Sequence, residues 1–392
     1  MRPRLRSSVC VALGVVACQP DPYSSGGLPP PGSTGPAPTT TAGDEGTDAT
    51  ADDTGPDPGV VGPRKRRLDL DPALLAEDLG GTTLLVVLDP TRIEYADTLP
   101  GGADLRFKGP EEGAAYPVEI EQWDPEGRSL VWVRVEAPVL PDHLWMYYGD
   151  PEGFAPIDPA HVWSDDFAAV WHMGRTEAAT LPDSSGHGHH LSPFDFSGEF
   201  GVEGQVGLAT RITAVDVPTE GGPLDLDTAQ QLALTDALTL EAWVSPEVAM
   251  DDATHSILRK GDALALRTLD PTSTHPTLVL RTVEIPGQHR VESGGSLPVD
   301  AWSHVAATYD ASTGQLAIYR NGVLEGTETI EGEPAQRQVQ SSDAVAQVGQ
   351  HMQGRLDEVR VSTVARSAAW VRLQYAAMTD ALLRFGPPVA RD

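Results

Sequence analysis

WSHVAATY at residues 302–309 and LAIYRNGVL at residues 316–324 form the most informative stretch of this 392-residue sequence. Both segments are rich in aromatic and β-branched residues, as β-strands are. Asn321-Gly322 interrupts the second segment, and this dipeptide is the strongest short sequence signal for a hairpin turn. These residues therefore predict antiparallel β-structure.

Short strands of the same kind begin just after residue 64. The clearest are TTLLVVL at residues 82–88 and LVWVRV at residues 130–135, and alternation of apolar and polar residues marks the others. Asp124-Pro125-Glu126-Gly127 has the composition of a hairpin turn. Five or six strands in about 85 residues predict a small antiparallel β-sandwich at residues 64–160.

A second, longer β-rich block covers residues 161–386. Its many short strands, separated by turn signals, predict a two-sheet jelly roll. Residues 367–378 form the one predicted helix, which is amphipathic and has Ser367 at its N-cap. Residues 387–392 are predicted to be a tail. The fold class is therefore all-β, a small sandwich followed by a jelly roll with one C-terminal helix.

The N-terminus has the pattern of a bacterial lipoprotein signal peptide. Three arginines precede an apolar run that is too short to span a bilayer and ends at Ala17. Val15-Val16-Ala17-Cys18 resembles the lipobox, in which cleavage precedes a cysteine that then carries acyl chains such as palmitate. We therefore predict residues 1–17 as the signal peptide, Cys18 as the lipidation site and the cell envelope as the location. Gln19 favours the outer membrane or cell surface; an ordinary secretory signal is the alternative.

Composition predicts a disordered segment and limits both the class of partner and the disulfides that the protein can have. Residues 18–63 are rich in proline, glycine, threonine and aspartate and predict a disordered tether. The 57 acidic residues against 27 lysines and arginines give a net charge of −30, which argues against nucleic acid as a partner. Cys10 and Cys18 are the two cysteines, so a disulfide framework is excluded after residue 18.

Motifs in both blocks resemble known families. The first block resembles a bacterial domain of unknown function, the 2341 family, at residues 104–107, 119–123, 131–133 and 147–150. The second block is similar to laminin-G-like domains at residues 181–188, 239–244, 301–310, 319–322 and 354–360. The second resemblance implies a concanavalin A-like lectin/glucanase jelly roll that binds glycans on a bacterial surface.

Three functions follow, in this order. The first is noncatalytic cell-surface recognition of a carbohydrate or a protein partner by the jelly roll. The second is a structural envelope or adhesion protein without a small ligand, and the third is a divergent polysaccharide-active enzyme. Neither the ligand nor the oligomeric state follows from the sequence.

The predicted cofactor is at most a structural calcium ion. Jelly-roll relatives hold calcium between an early loop and a late strand, which implies Asp183 and Asp357 as ligands. The alternative is that Asp183 caps its own turn and Asp357 pairs with an arginine. His187, His189 and His190 are read as polar turn residues rather than as a transition-metal site.

No catalytic residues are predicted. The chain lacks the paired-carboxylate string of jelly-roll glycosidases, and it also lacks nucleophile-elbow, zincin and phosphate-loop motifs. Glu121, Asp124 and Glu126 come closest to a carboxylate pair and are assigned to a turn. Trp243 and Trp302 are predicted to be core residues rather than sugar-stacking platforms.

Overall fold

The computed structural model describes residues 63–76, 79–150, 159–175, 180–193, 196–213, 224–226, 232–247, 254–269 and 275–390. The predicted signal peptide, the lipidation site Cys18 and almost all of the tether lie outside these residues. Over the described residues, strands dominate and the all-β prediction is confirmed. In that part of the chain, neither helix combines the length and apolar character that a membrane crossing needs.

The first block is a sandwich of two antiparallel sheets. Its own strands are β1 (Arg64–Leu70), β2 (Thr82–Leu88), β3 (Arg106–Lys108), β4 (Val118–Gln122), β5 (Ser129–Val135) and β6 (His143–Tyr148). One sheet has the order β2-β5-β4, so that β4 is an edge strand. The predicted turn at residues 124–127 joins β4 to β5, and the Gly127 amide donates to the Asp124 carbonyl at 3.3 Å.

A strand from the C-terminus completes this sandwich. The last strand of the chain, Leu383–Ala390, pairs with β1 in the sheet that also contains β6 and β3. The sequence placed these residues partly in the jelly roll and partly in a tail, whereas the structure continues the strand to Ala390. The first block therefore depends on residues that lie more than 200 positions after it.

The second block is the predicted jelly roll. Its strands are β7 (Phe167–Trp171), β8 (Leu191–Ser192), β9 (Gly198–Glu203), β10 (Leu208–Thr213), β11 (Leu224–Leu226), β12 (Ala237–Pro246), β13 (His255–Lys260), β14 (Leu264–Leu269), β15 (Thr277–Leu280), β16 (His289–Glu292), β17 (Ser303–Asp310), β18 (Gln315–Arg320), β19 (Val323–Thr329), β20 (Ala346–Val348) and β21 (Gln353–Ser362). The strand Leu383–Ala390, which completes the small sandwich, is β22. One sheet runs β19-β18-β17-β12-β21-β10-β9, with β7 also on β21, and the other runs β16-β15-β14-β13-β20-β11-β8.

The local signals for turns and caps are confirmed. Asn321 and Gly322 both have positive φ, 51° and 77°, as the turn of the β18–β19 hairpin requires. A short helix, α1 (Pro334–Arg337), follows, and the predicted helix is α2 (Ala368–Met378). The Ser367 hydroxyl accepts a hydrogen bond from the Trp370 amide at 3.2 Å, which is the expected N-cap.

Two apolar cores hold the fold together. One fills the space between the jelly-roll sheets. The other fills the small sandwich and continues onto α2, where Val371 and Leu373 are fully buried. Trp243 is buried at 2% exposure, whereas Trp302 is half-buried and carries the Arg355 guanidinium over its ring. Helix α2 thus binds the small sandwich and the jelly roll into one packed unit.

Candidate functional site

An interruption in the jelly-roll sheet creates the site. On one side of β21, β10 pairs with residues 353–356 and β7 pairs with residues 359–362. Asp357 and Glu358 lie between these two partners. On the other side, the pairing with β12 shifts register at the same place, which is the pattern of a β-bulge. The bulge leaves two fully buried carboxylic acids at a gap in the ladder.

Two residues at this gap have a left-handed backbone conformation that residues other than glycine rarely adopt. Glu358 has a φ of 48°, and Met173, which comes just after β7, has a φ of 63°. Left-handed conformations of such residues cost on the order of 1–3 kcal/mol each and cluster at functional sites. The surrounding packing therefore maintains both residues against a local preference.

His172 occupies the centre of the site. Its Nδ1 lies 2.7 Å from Glu358 Oε1 and 3.6 Å from Glu121 Oε2. Its Nε2 lies 3.5 Å from Glu119 Oε1. The imidazole stacks on the Trp132 ring, with centroids 5.7 Å apart and an interplanar angle of 26°. One histidine thus contacts three carboxylates from two different domains.

The small sandwich supplies two of these carboxylates from its edge strand β4. Glu119 and Glu121 are two residues apart and so lie on the same face of the strand. Glu121 Oε2 accepts from the indole of Trp132 at 2.8 Å. Glu119 accepts from the indole of Trp163 at 2.6 Å and from the Ser184 hydroxyl at 2.8 Å. These donors fix the orientation of both carboxylates.

The two glutamates have opposite electrostatic environments. Burial raises the pKa of Glu121 to about 8, and the nearby charge of Glu358 adds to this effect. Burial also acts on Glu119, but the charge of His172 and the hydrogen bonds from Trp163 and Ser184 outweigh it and lower the pKa of Glu119. For His172 the carboxylates outweigh burial and raise its pKa well above the usual value.

Asp357 completes the acidic group. Burial and then the charge of Glu358 raise the pKa of Asp357 well above its ordinary range. Its Oδ2 accepts from the Val206 amide at 2.7 Å. Asp357 Oδ1 and Glu358 Oε2 are buried without a hydrogen-bond partner, and such atoms are uncommon in folded proteins.

A cavity of about 330 Å³ opens beside these residues. Apolar side chains from both blocks form part of its wall, including Ile120, Leu181 and Leu208. The polar groups that line it are Glu119, Glu121, Gln122, His172, Arg175 and Ser184. A few polar groups in a partly apolar recess are typical of small-molecule sites.

The structure gives the two predicted calcium ligands, Asp183 and Asp357, different roles. Asp183 Oδ1 accepts from the amides of Val170 and Ser185, both at 2.9 Å, and its Oδ2 accepts from the His189 amide at 3.0 Å and the Ser185 hydroxyl at 2.8 Å. Asp183 therefore caps its own turn, the alternative that the sequence left open. Asp357 belongs to the buried group around His172, and calcium binding by this pair stays a prediction.

The three histidines of the turn take separate structural parts. His189 Nδ1 lies 2.7 Å from the Ala168 carbonyl, and His190 Nδ1 accepts from the Asp183 amide at 3.0 Å. His187 is exposed and lies against His189 at a centroid distance of 6.2 Å. In the described part of the chain, the group of potential metal-ligating atoms within 4.8 Å of one another is Glu121, His172 and Glu358 instead.

Sequence reasoning missed most of this site. It weighed Glu121 but assigned it to a turn, and this was wrong because Glu121 lies inside β4. The Glu-x-Glu pattern at residues 119–121 on a strand was an available signal. The partners His172 and Glu358 are separated by 186 residues, and no local spacing connects them.

Comparisons with known proteins agree with the two-block reading. Residues 101–172 match the model of a domain of unknown function (DUF2341). Residues 218–372 match the laminin-G-type model described as the concanavalin A-like lectin/glucanases superfamily. No curated protein matches the sequence.

Several toxin binding domains are similar in structure at low sequence identity. The binding domain of paraclostridial mosquitocidal protein 1 has a TM-score of 0.41 at 12% identity, with coverage of 54% of this chain and 52% of that one. The binding domain of botulinum neurotoxin DC in complex with SialylT has a TM-score of 0.42 at 10% identity, with coverage of 56% and 52%. This chain thus spans about half the length of these structures. In chain order, the sequence thus matches the DUF2341 model first and then the laminin-G-type model of the concanavalin A-like lectin/glucanases superfamily.

Proposed function

We propose that this protein is a noncatalytic recognition protein that binds a carbohydrate in the cavity between β4 and the jelly roll. The cavity carries this proposal, because it is a recess of about 330 Å³ with polar groups from both blocks. A recess of this size suits a small ligand or the end of a larger one.

The lining favours a neutral or cationic polar ligand. Glu119 and Glu121 offer acceptors, while Arg175 and Gln122 add donors at the wall. Sugar hydroxyls donate and accept and so satisfy both kinds of group, whereas a polyanion would meet carboxylates. The net charge of −30 also disfavours a polyanionic ligand.

Arg175→Ala tests this proposal at the exposed part of the wall. We expect about a tenfold loss of affinity or more for a glycan identified on an array, because a hydrogen bond to a charged group contributes about 1.5–3 kcal/mol. Calorimetric titration of the purified variant measures the loss.

Arg384→Ala is the matched control, since Arg384 is an exposed arginine on β22 that does not line the cavity. Unchanged affinity in Arg175→Ala would contradict the cavity as the binding place. Absence of glycan binding together with capture of a defined surface protein would favour the structural adhesion role.

A second candidate, a polysaccharide-active enzyme, has one specific observation in its favour. Glu119 and Glu121 are neighbours whose pKa values shift in opposite directions, and such pairs often divide acid and base roles. Turnover of a bound polysaccharide by the wild type, abolished in Glu121→Gln, would replace the noncatalytic proposal.

The proposal includes a lipid anchor at Cys18. Acyl chains on this residue would bind the membrane stably, because each buried methylene contributes about 0.8 kcal/mol. We expect Cys18→Ser to move the processed protein from the membrane fraction to the soluble fraction, measured by fractionation and immunoblotting. Cys10→Ser is the control, and a processed Cys18→Ser protein that stays in the membrane fraction would contradict the anchor.

A further inference from the structure

We propose that Glu121, His172 and Glu358 bind a divalent transition-metal ion, with Zn²⁺ the best-matched ion, at the floor of the cavity. The site goes beyond ligand recognition and does not depend on it. It joins one imidazole nitrogen and two carboxylate oxygens, all within 4.8 Å of one another. Three protein ligands with a further position open to a cavity are the common arrangement of reactive zinc sites.

The distances suit an ion in place of a proton. Nδ1 of His172 lies 2.7 Å from Glu358 Oε1 and 3.6 Å from Glu121 Oε2. Tetrahedral ligands at bond lengths of about 2.0–2.1 Å are about 3.3 Å apart. The two distances bracket this value, and a shift of about 0.6 Å at Glu358 brings its Oε1 to the tetrahedral spacing from Nδ1.

Neighbouring groups orient the ligands as they do in metal sites. Glu119 Oε1 faces the other imidazole nitrogen of His172 at 3.5 Å, which favours a proton on Nε2 and leaves the Nδ1 lone pair for the ion. A carboxylate behind a metal-bound histidine is a usual outer-shell arrangement. The Trp132 indole holds Glu121 Oε2 at 2.8 Å, so two of the three ligands are already positioned.

The buried acidic groups outnumber the basic groups beside them. Glu119, Glu121, Asp357 and Glu358 set four carboxylates against the single imidazole of His172. The nearby guanidinium of Arg360 stacks over Trp132, but it faces Glu241 at 3.1 Å. Buried carboxylates are stable only when they are paired, protonated or bound to metal.

Unpartnered atoms provide an independent indication. Glu358 is completely buried, and its Oε2 has no hydrogen-bond partner. Asp357 Oδ1, on the adjacent residue, is also buried without a partner. Bidentate coordination by Glu358 uses a second carboxylate oxygen, and the unpartnered Oε2 is free to take this position.

The donor set selects the metal. Imidazole with carboxylates suits zinc, iron and similar ions, whereas Ca²⁺ takes six to eight oxygen ligands. The inferred site therefore differs in position and chemistry from the calcium ion predicted for Asp183 and Asp357.

The test is direct metal binding by the untagged full chain in a Cys10→Ser, Cys18→Ser background, which removes thiol ligands. After chelation and desalting, Zn²⁺ is titrated by calorimetry, and bound metal is counted by elemental analysis. We expect one equivalent in this protein, a loss of at least tenfold in affinity in His172→Gln and in Glu358→Gln, and no change in the exposed control His187→Gln.

A positioning role for Glu119 predicts a graded effect. Glu119→Gln should retain one equivalent with affinity weakened by about 10- to 100-fold. Co²⁺ added to the protein in which all three ligands are intact should give visible d–d absorption. Added Zn²⁺ should displace the Co²⁺ and abolish this absorption, and the readout does not depend on the folding of any ligand variant.

Several results would overturn the site. They are the absence of Zn²⁺ and Co²⁺ binding in the thiol-free chain, Zn²⁺ affinity that His172→Gln leaves unchanged, and binding of Ca²⁺ alone. None of these outcomes bears on the glycan titration with Arg175→Ala, so failure of the metal site and failure of carbohydrate recognition are distinguishable.

Discussion

Arg360→Met is expected to lower the free energy of unfolding by about 3–5 kcal/mol, the usual cost of removing one partner from a buried ion pair. Arg360 is 1% exposed, and its Nε lies 3.1 Å from Glu241 Oε1. Glu241 is buried as well, and His304 Nε2 lies 3.2 Å from its other oxygen. Methionine fills a similar volume, so the expected loss comes from the unpaired Glu241 carboxylate.

The same arginine connects the jelly roll to the small sandwich. Its guanidinium donates to Gln374 Oε1 on α2 at 3.1 Å, and Gln374 donates to the Thr83 carbonyl on β2 at 2.9 Å. Removing Arg360 therefore weakens the interface between blocks as well as the ion pair. We expect chemical denaturation of the variant to show the loss in both blocks at once.

Arg67→Met is the matched control, because the Arg67–Asp69 pair is about half-exposed and such pairs contribute about 0–1 kcal/mol. A Glu241→Gln, Arg360→Met double variant should be more stable than the sum of the single changes predicts. A loss below 1 kcal/mol in Arg360→Met would contradict the importance of this pair.

Local features of the fold followed from the sequence because local physics determines them. Asn321-Gly322 gives a tight turn through its tolerance of positive φ, and Ser367 caps a helix through a hydroxyl three residues from its acceptor amide. The turn role of Asp183 belongs to the same class, since its contacts lie mostly within its own loop.

The site did not follow because three separate parts of the chain build it. Glu121 comes from an edge strand of one block, His172 from the residue after β7, and Glu358 from a bulge in β21. A bulge reverses which side chains face a cavity, and its position depends on where β10 ends and β7 begins. The alternation pattern of a single sequence does not contain this information.

Removing the C-terminal strand is expected to destabilise the first block, although it lies at the other end of the chain. A chain that ends at Ala381 loses Leu382 and Leu383, which are 1% and 9% exposed, and all of β22. Burial of each large apolar side chain contributes about 1.5–3 kcal/mol, so we expect a loss of about 3–6 kcal/mol in the free energy of unfolding. Chemical denaturation followed by tryptophan fluorescence measures the change.

Truncation after Gly386 tests whether residues 387–392 are a tail or part of a strand. If residues 387–392 were a tail, this change would leave stability unaffected. In the structure, Pro388, Val389 and Ala390 pair with Arg66, Lys65 and Arg64 of β1, so a loss smaller than that of the longer truncation is expected. Truncation after Ala390 keeps all of this pairing and is the neutral control. Equal stability of all three chains would show that β22 contributes nothing to the sandwich, whereas a graded loss would establish that pairing with β22 stabilises the first block.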